Sequence, residues 1–275
     1  MQIAAEANRR FLKTAAPQAA ADWDLLLKHQ VDLVFPQELE CLLSLKAWRE
    51  GSHILDAGCG NGYYMSRLQE FFPDKEYRGI DLSPELVARA STRHPTLSVS
   101  VDNIVTYAPR QRFDIIVMRF LVQHLKDFRA ILDAADRLLR PGGRLVIIES
   151  DLARCSNFPA LPIFTDMLLA FARVSAAHGA VKERLLADPG QFVAASDPSW
   201  SIERDECVTS PRIGPFTGTR LLAIYQLWVD LCERSSMFEF DFNTVRDELQ
   251  SWAAGPANFS SVALRLLVLT RLSRH

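Results

Sequence analysis

Three observations predict an α/β fold built on a mainly parallel sheet: apolar runs alternate with helical spacing from residue 53 onward, a glycine turn follows the first run, and an acid closes the second. Strands joined through helices in this way give right-handed crossovers. The glycine turn organises the rest. His53 to Leu55 form a short apolar run, Asp56 closes it, and Gly58, Gly60 and Gly62 follow at alternate positions before Tyr64, Leu68 and Phe71 take up helical spacing. Glycines so placed let the backbone bend sharply and bring a ligand against peptide N–H groups at a helix N-terminus.

Residues 1–50 precede this turn and read as helical, with breaks expected at Pro17 and Pro36 and apolar spacing through Leu26, Leu27, Val31, Val34 and Phe35. Most of those positions read as packing. Trp23, His29, Gln30 and Phe35 could instead line a lid, because segments that exclude water commonly flank reactive ligands. In the second unit, Tyr77 to Asp81 is a strand ending in an acid, followed by Ser83 as a helix N-cap, Pro84 at the first helical position and Glu85. Asp81 is placed to accept both ribose hydroxyls of a nucleoside. The third strand, Leu97 to Val101, leads into Asp102, Asn103 and Ile104. An Asp there is in many proteins a turn residue only.

The fourth unit carries the buried run Ile115 to Met118, then Arg119 and Phe120 at the C-terminal mouth of the strand, where open α/β sheets bind ligands, and then Val122, Gln123 and His124. A helix from Phe128 to Leu139, a breaker at Arg140-Pro141-Gly142-Gly143-Arg144 and a fifth strand from Leu145 to Glu149 complete the regular part. Helices are then expected at 164–177 and 181–195, a strand at Trp200 to Thr209, helices at 218–237 and 242–253, and a long final strand at 262–272.

The order Asp-x-Gly-x-Gly-x-Gly departs from the dinucleotide pattern G-x-G-x-x-G. Asp56 would repel a pyrophosphate but attract an ammonium group. With the Leu-Arg-Pro-Gly-Gly-Arg-Leu turn, these residues resemble the class I S-adenosylmethionine (SAM) dependent methyltransferases of the small-molecule type. The resemblance covers residues 50–150 by motif and the remainder only by strand pattern. It implies a Rossmann-like seven-stranded sheet whose last strand inserts antiparallel between the fifth and sixth. It further implies a helical N-terminal lid over 1–50 and a SAM-binding domain over 51–275, with helical substrate-cap segments at 155–198 and 211–255 after the fifth strand. The cofactor would meet Asp56, Gly58, Cys59, Gly60, Asp81, Leu82, Asp102, Asn103, Ile104, Arg119, Phe120 and His124. In that reading Asp102 and its neighbour lie beside the adenine, Arg119 meets the methionyl carboxylate and Phe120 packs the sulfonium arm.

Catalytic candidates by placement are His124, Glu149 and Asp151, with His29 and Tyr63 more distant; a lone His in an apolar turn is more often structural than catalytic. Methyl transfer asks mainly for near-attack geometry in a dry pocket, with at most one base. Neither an Asn-Pro-Pro-Tyr nor an Asp-Pro-Pro-Tyr motif follows the fourth strand, and a net charge of −2 gives no general attraction for nucleic acid or anionic membrane. A small molecule is therefore the expected acceptor, and family analogy suggests a secondary metabolite. Its pocket would draw on Phe158, Phe164, Phe171, Trp200, Phe216, Tyr225 and Trp228 with Arg173, Arg212 and Arg220. The product would be S-adenosylhomocysteine, no metal is expected, and a homodimer is left open. Non-methylating chemistry on SAM, by cyclisation or lyase cleavage, and non-catalytic SAM binding stand as alternatives. The five cysteines are scattered, with no C-x-x-C pair, and no stretch reaches the roughly 18 uncharged residues of a membrane helix. A reducing cytoplasm is the compartment these features suggest. Asp81→Ala is expected to weaken SAM binding by at least about 1 kcal/mol, the loss of one charge-assisted hydrogen bond. Unchanged affinity by titration calorimetry would remove Asp81 from the site.

Overall fold

The computed structural model describes residues 17–210 and 215–272, and side chains from Ala21 to Ser210 and from Leu221 to Leu272. Arg212 and the side chains of Phe216 and Arg220 lie outside the described residues, as does the N-terminal part of the expected lid. The chain divides into two compact units. One comprises the described parts of Phe35–Ser150, Val181–Val208 and Leu264–His275; the other comprises those of Met1–Val34, Asp151–Ala180 and Thr209–Ala263.

The first unit is built on a seven-stranded sheet in the order β3-β2-β1-β4-β5-β9-β7. Its strands are β1 (His53–Ala57), β2 (Glu76–Asp81), β3 (Ser98–Val101), β4 (Phe113–Arg119), β5 (Leu139–Ser150), β7 (Trp200–Thr209) and β9 (Ala263–Arg271). Strands β3, β2, β1, β4 and β5 pair in parallel, and β9 runs antiparallel to β5, with Leu145 opposite Leu269. The last strand therefore lies between β5 and β7, the Rossmann-like arrangement with a reversed end that the family resemblance implies. The central strands β4 and β5 carry continuous apolar runs because both faces are covered there. Ile115, Ile116, Val117 and Met118 are all fully buried.

Helices α3 (Tyr63–Phe71), α4 (Pro84–Arg93) and α5 (Phe128–Leu138) connect these strands. Each is introduced by the expected local chemistry. Gly62 caps α3 at a φ of 74°, where a Cβ would also lie 3.0 Å from that of Ala90. Ser83 Oγ accepts from Leu86 N at 3.2 Å, and Asp127 Oδ1 accepts from Ala130 N at 3.0 Å. On α5, Phe128, Ile131, Leu132, Ala135 and Leu138 face the core, the 3.6-residue repeat of an amphipathic helix. Two short helices, α7 (Lys182–Ala187) and α8 (Pro189–Ser196), replace the single helix expected at 181–195. Pro189 cannot continue α7, and Asp188 turns its carboxylate to Gln191 N at 3.0 Å to start α8.

A further difference concerns the N-terminal region. Helix α1 (Pro17–Ser44) passes through Pro36, where a break is expected. Proline removes one backbone donor, but the residues around it are anchored: Phe35, Glu38, Leu39 and Leu42 are buried, and Phe35 meets Tyr64 edge-on at 5.9 Å. The short helix α2 (Lys46–Glu50) then places Trp48, fully buried, beside Phe72.

The second unit is mainly helical, with α6 (Pro162–Ala177), α9 (Pro215–Ser235) and α10 (Phe242–Ala254) around a core containing Phe164, Met167, Leu221, Tyr225, Val245 and Trp252. Glu248 accepts from Ile163 N and Phe164 N at 3.1 and 2.7 Å, capping α6 in the absence of a local side-chain cap. A two-stranded sheet of β6 (Ser156–Phe158) and β8 (Phe259–Ser261), too short for any sequence period to reveal, completes the unit. Among the expected pocket aromatics, Phe164 and Tyr225 are core residues of this unit and Trp200 is a core residue of the sheet unit.

At the N-terminal edge of the sheet, Asp114 gathers three elements. Its Oδ2 accepts from Ser52 N and His53 N, both at 2.9 Å, and its two oxygens accept from Arg140 at 3.1 Å. Burial pulls its pKa up, but the hydrogen bonds from His53, Ser52 and Arg140 outweigh this and hold it below the usual carboxylate value. A depressed folded pKa contributes stability above the unfolded value that is lost as the pH falls through the folded one. Asp114→Ala is expected to cost about 2–3 kcal/mol in urea unfolding at pH 7, leaving two backbone donors unpaired. The variant's loss should shrink below pH 4, where the wild type also gives up the carboxylate.

Candidate functional site

The site is built at the C-terminal edge of β1, β2, β3 and β4. Strand β1 delivers Asp56, and the chain turns back on β2: Gly58 N and Cys59 N both donate to Ile80 O, at 2.8 and 3.0 Å. This close approach requires Gly79 on β2, because a Cβ there would stand 2.8 Å from Cys59 Sγ. Asp81 then locks the turn from its far side. One carboxylate oxygen accepts from Gly60 N at 2.9 Å and the other from Ser83 N at 2.8 Å. A carboxylate offers about four lone-pair sites in all, so acceptor capacity remains for a hydroxyl donor. Burial raises the Asp81 pKa, against the opposing hydrogen bonds from Ser83, Gly60 and Leu82.

The next strand follows in line. Asp102 N donates to Asp81 O at 3.0 Å, which sets the end of β3 beside the end of β2. Asp102 Oδ1 accepts from Asn103 N, and Asn103 Oδ1 accepts from Val105 N, so both side chains also shape the following turn. Leu82 and Val101, flanking this edge, are 58% and 50% exposed, an apolar surface open to a planar ring, whereas Ile104 is buried in the core. The structure thus brings Asp56, Gly58, Cys59, Gly60, Asp81, Leu82, Asp102 and Asn103 to one edge.

Arg119 stands at the end of β4 next to Asp56 and is engaged with a residue the sequence reading did not single out. Its Nε donates to both oxygens of Glu38 on α1, at 3.0 and 3.2 Å, and both side chains are buried. Its guanidinium also lies over the rings of Phe120 and Tyr64, with centroids at 4.4 and 5.1 Å. Phe120 adopts a φ of 54°, a left-handed conformation uncommon for a bulky residue, and is held there by its N–H to Ile148 O at 2.8 Å. The signal for Glu38 was present in the spacing of Phe35, Glu38 and Leu42, which places the acid on a buried stripe, where a charge demands a partner.

The catalytic candidates fall elsewhere. Glu149, near the end of β5, is fully buried, and its Oε1 accepts from Val122 N at 2.6 Å and Gln123 N at 3.2 Å. Its carboxylate therefore supports the turn after β4. Burial pushes its pKa up to about 7, opposed by the charge of Lys182 and the two backbone bonds. Lys182, also missed in the sequence, is buried with its ammonium 3.3 Å from Ser150 Oγ and from Glu183. Burial and then that lysine push His124 down to about 4, so the ring is neutral at pH 7 and weakly basic. Asp151, in the helical unit, donates its N–H to Ala263 O and lies 3.4 Å from Arg154. Tyr63 has its ring 6.4 Å from that of His94.

Against this geometry, residues 55–145 match the family model described as a methyltransferase domain. This part of the chain is thus similar to methyltransferase domains. The segment spans β1 to the start of β5 and so contains the whole glycine turn and the edge described above. Among curated proteins, the chain is 34% identical to a malonyl-[acyl-carrier protein] O-methyltransferase of Hahella chejuensis, over 46% of this chain and 45% of that protein. It is 33% identical to a trans-aconitate 2-methyltransferase of Methylobacterium radiotolerans, over 35% of this chain and 37% of that protein. The chain thus spans less than half the length of these relatives. Among solved structures, it resembles YjhP from E. coli at 19% identity and a TM-score of 0.47, over 86% of this chain and 91% of that one. Among the described residues, no helix is long and apolar enough to cross a membrane and no cluster of His, Cys, Asp or Glu is arranged to hold a metal.

The Asp56 carboxyl carries a pH prediction. Burial pushes it up to about 7, with Arg119 pulling it down and Asp81 pushing it further up. A folded pKa raised above the unfolded one means a contribution to stability that is present at low pH and lost as the pH rises through about 7. A cationic ligand group favours the ionised form, so SAM affinity is expected to strengthen between pH 6 and 8, by up to about tenfold per pH unit below the midpoint. Calorimetric titration at several pH values tests this; a flat profile would dissociate Asp56 from the ligand.

Proposed function

We propose that the chain transfers the methyl group of SAM to an oxygen, or less readily a nitrogen, of a small-molecule acceptor. The observation that carries this reading is the glycine turn clamped by Asp81. It sets a carboxylate at the end of β2 near an acid at the end of β1, inside the segment that matches a methyltransferase domain. When bound, SAM supplies an electrophilic methyl group on a sulfonium centre.

The residues present fit that group. Asp81 would hold the ribose hydroxyls, Leu82 and Val101 would flank the adenine with Asp102, Asn103 and Ile104 behind it, and Asp56 would meet the ammonium. Gly58, Cys59 and Gly60 would supply bare backbone along the methionyl tail. Arg119 and Phe120 would form the wall at its far end, with His124 beyond them. The lid role of residues 1–50 and the acceptor-cap roles of 155–198 and 211–255 belong to this proposal as well.

Oxygen is favoured because two kinds of relative carry O-methylation in their names: the malonyl-[acyl-carrier protein] enzyme and a ubiquinone biosynthesis O-methyltransferase of Xanthomonas oryzae, 34% identical over 35% of this chain. An acceptor oxygen that is already ionised needs no base, which suits a site where His124 is weakly basic and Glu149 is tied to two backbone donors. The relatives' names lend no support to a secondary metabolite as acceptor, and the acceptor is taken here as a small oxyacid or hydroxyl compound.

Incubation with SAM separates this reading from its competitors. Release of S-adenosylhomocysteine only on addition of an acceptor from a panel of small carboxylic acids and phenols is the expected result. Methylthioadenosine from SAM alone would replace methyl transfer by cyclisation or lyase chemistry, and binding without turnover across the panel would remove the enzymatic assignment.

A further inference from the structure

Glu38 is the fully buried carboxylate for which neither the cofactor reading nor the acceptor reading has a use. A carboxylate taken wholly out of water persists only with a well-placed cation. Here the cation is Arg119, whose Nε bridges both Glu38 oxygens at 3.0 and 3.2 Å. The same guanidinium is the charge that most strongly favours ionisation of Asp56. Two carboxylates, one from α1 and one from β1, thus stand within reach of a single arginine, and the rings of Phe120 and Tyr64 fix where its plane lies.

We propose that Glu38 is a positioning residue for cofactor binding: by holding Arg119 against Phe120 and Tyr64, it keeps the guanidinium from closing on Asp56 and so leaves the Asp56 carboxylate for the cofactor's ammonium. The inference rests on the SAM reading of the glycine edge. Its physical basis is competition. An arginine freed from Glu38 would be drawn toward Asp56, whose ionisation it already favours, and a charge-assisted pair formed there would have to be broken before an ammonium could enter. Among the described residues, the groups facing Asp56 are Arg119 from β4, Asp81 from β2, Cys59 from the turn and Tyr64 from α3, with Glu38 of α1 beyond Arg119 and Tyr64. The Tyr64 hydroxyl is buried without a hydrogen-bond partner among the described residues, so it does not relieve the competition.

The test is Glu38→Gln, followed by SAM titration calorimetry from pH 5 to 8.5, with urea unfolding as control. At pH 8 the affinity should drop by about tenfold or more, the scale of one charge-assisted interaction. The pH at which affinity rises should also move below the wild-type midpoint of about 7, because Asp56 paired with a cation ionises at lower pH. Glu38→Asp, which keeps the charge but withdraws it by one methylene, should shift both quantities in the same direction by less. It serves as the readout if Glu38→Gln fails to fold. Reduced stability with an unmoved midpoint would make Glu38 a purely structural residue and overturn the proposal, as would unchanged affinity. Failure of the wild-type protein to bind SAM at all would overturn the SAM reading itself, a result distinct from either.

Discussion

The carboxylate of Asp81 is the interaction on which the site depends. It is one side chain at the end of β2, yet it determines the path of two others: Gly60 in the turn after β1 and Ser83 at the start of α4 each give it an N–H. A glycine-rich turn has many conformations available to it, and its entropy would resist any fixed shape. A buried acceptor with backbone donors on both sides pins that shape by enthalpy. In the proposed function the same atoms would both order the scaffold and hold the ribose.

The charges around this edge form a graded set. Asp56, Asp81 and Glu38 are acids in or near a desolvated region, and Arg119 is the cation among them. Desolvation is the first cause of the raised pKa in each acid, and the backbone or arginine opposes it. A ligand of net positive charge, the character of a sulfonium amino acid, would favour the ionised form of the acids in this region. The acids beyond it are used differently. Glu149 is bound to the turn after β4, and Asp114 ties the opposite edge of the sheet, where parallel strands begin and their first N–H groups need partners.

The fold was legible because its signals are local and periodic. Ile115 to Met118 could only be a covered strand, Ser83-Pro84-Glu85 could only begin a helix, and both lie where the sequence placed them. Errors arose where a local rule met a tertiary counterweight. Pro36 is a helix breaker in isolation, but burial of Phe35, Leu39 and Leu42 offsets its missing donor. Pro189 did divide a helix, because Asp188 before it leaves helical backbone and caps the second helix through Gln191 N. Strands as short as Ser156–Phe158 and Phe259–Ser261 carry no period to read and exist through pairing of segments far apart in the chain.

The sequence by itself determined the order of strands and helices, the glycine turn, and the acids at the ends of β1, β2 and β3, because each follows from backbone preferences within a few residues. Only the tertiary structure decided what those acids and cations face. That Arg119 is claimed by a glutamate 81 positions earlier, that Glu149 is bound to the turn after β4, and that burial and then Lys182 depress His124 are consequences of which surfaces the sheet brings together. Charge pairing depends on distance and burial, and neither is encoded locally in the chain.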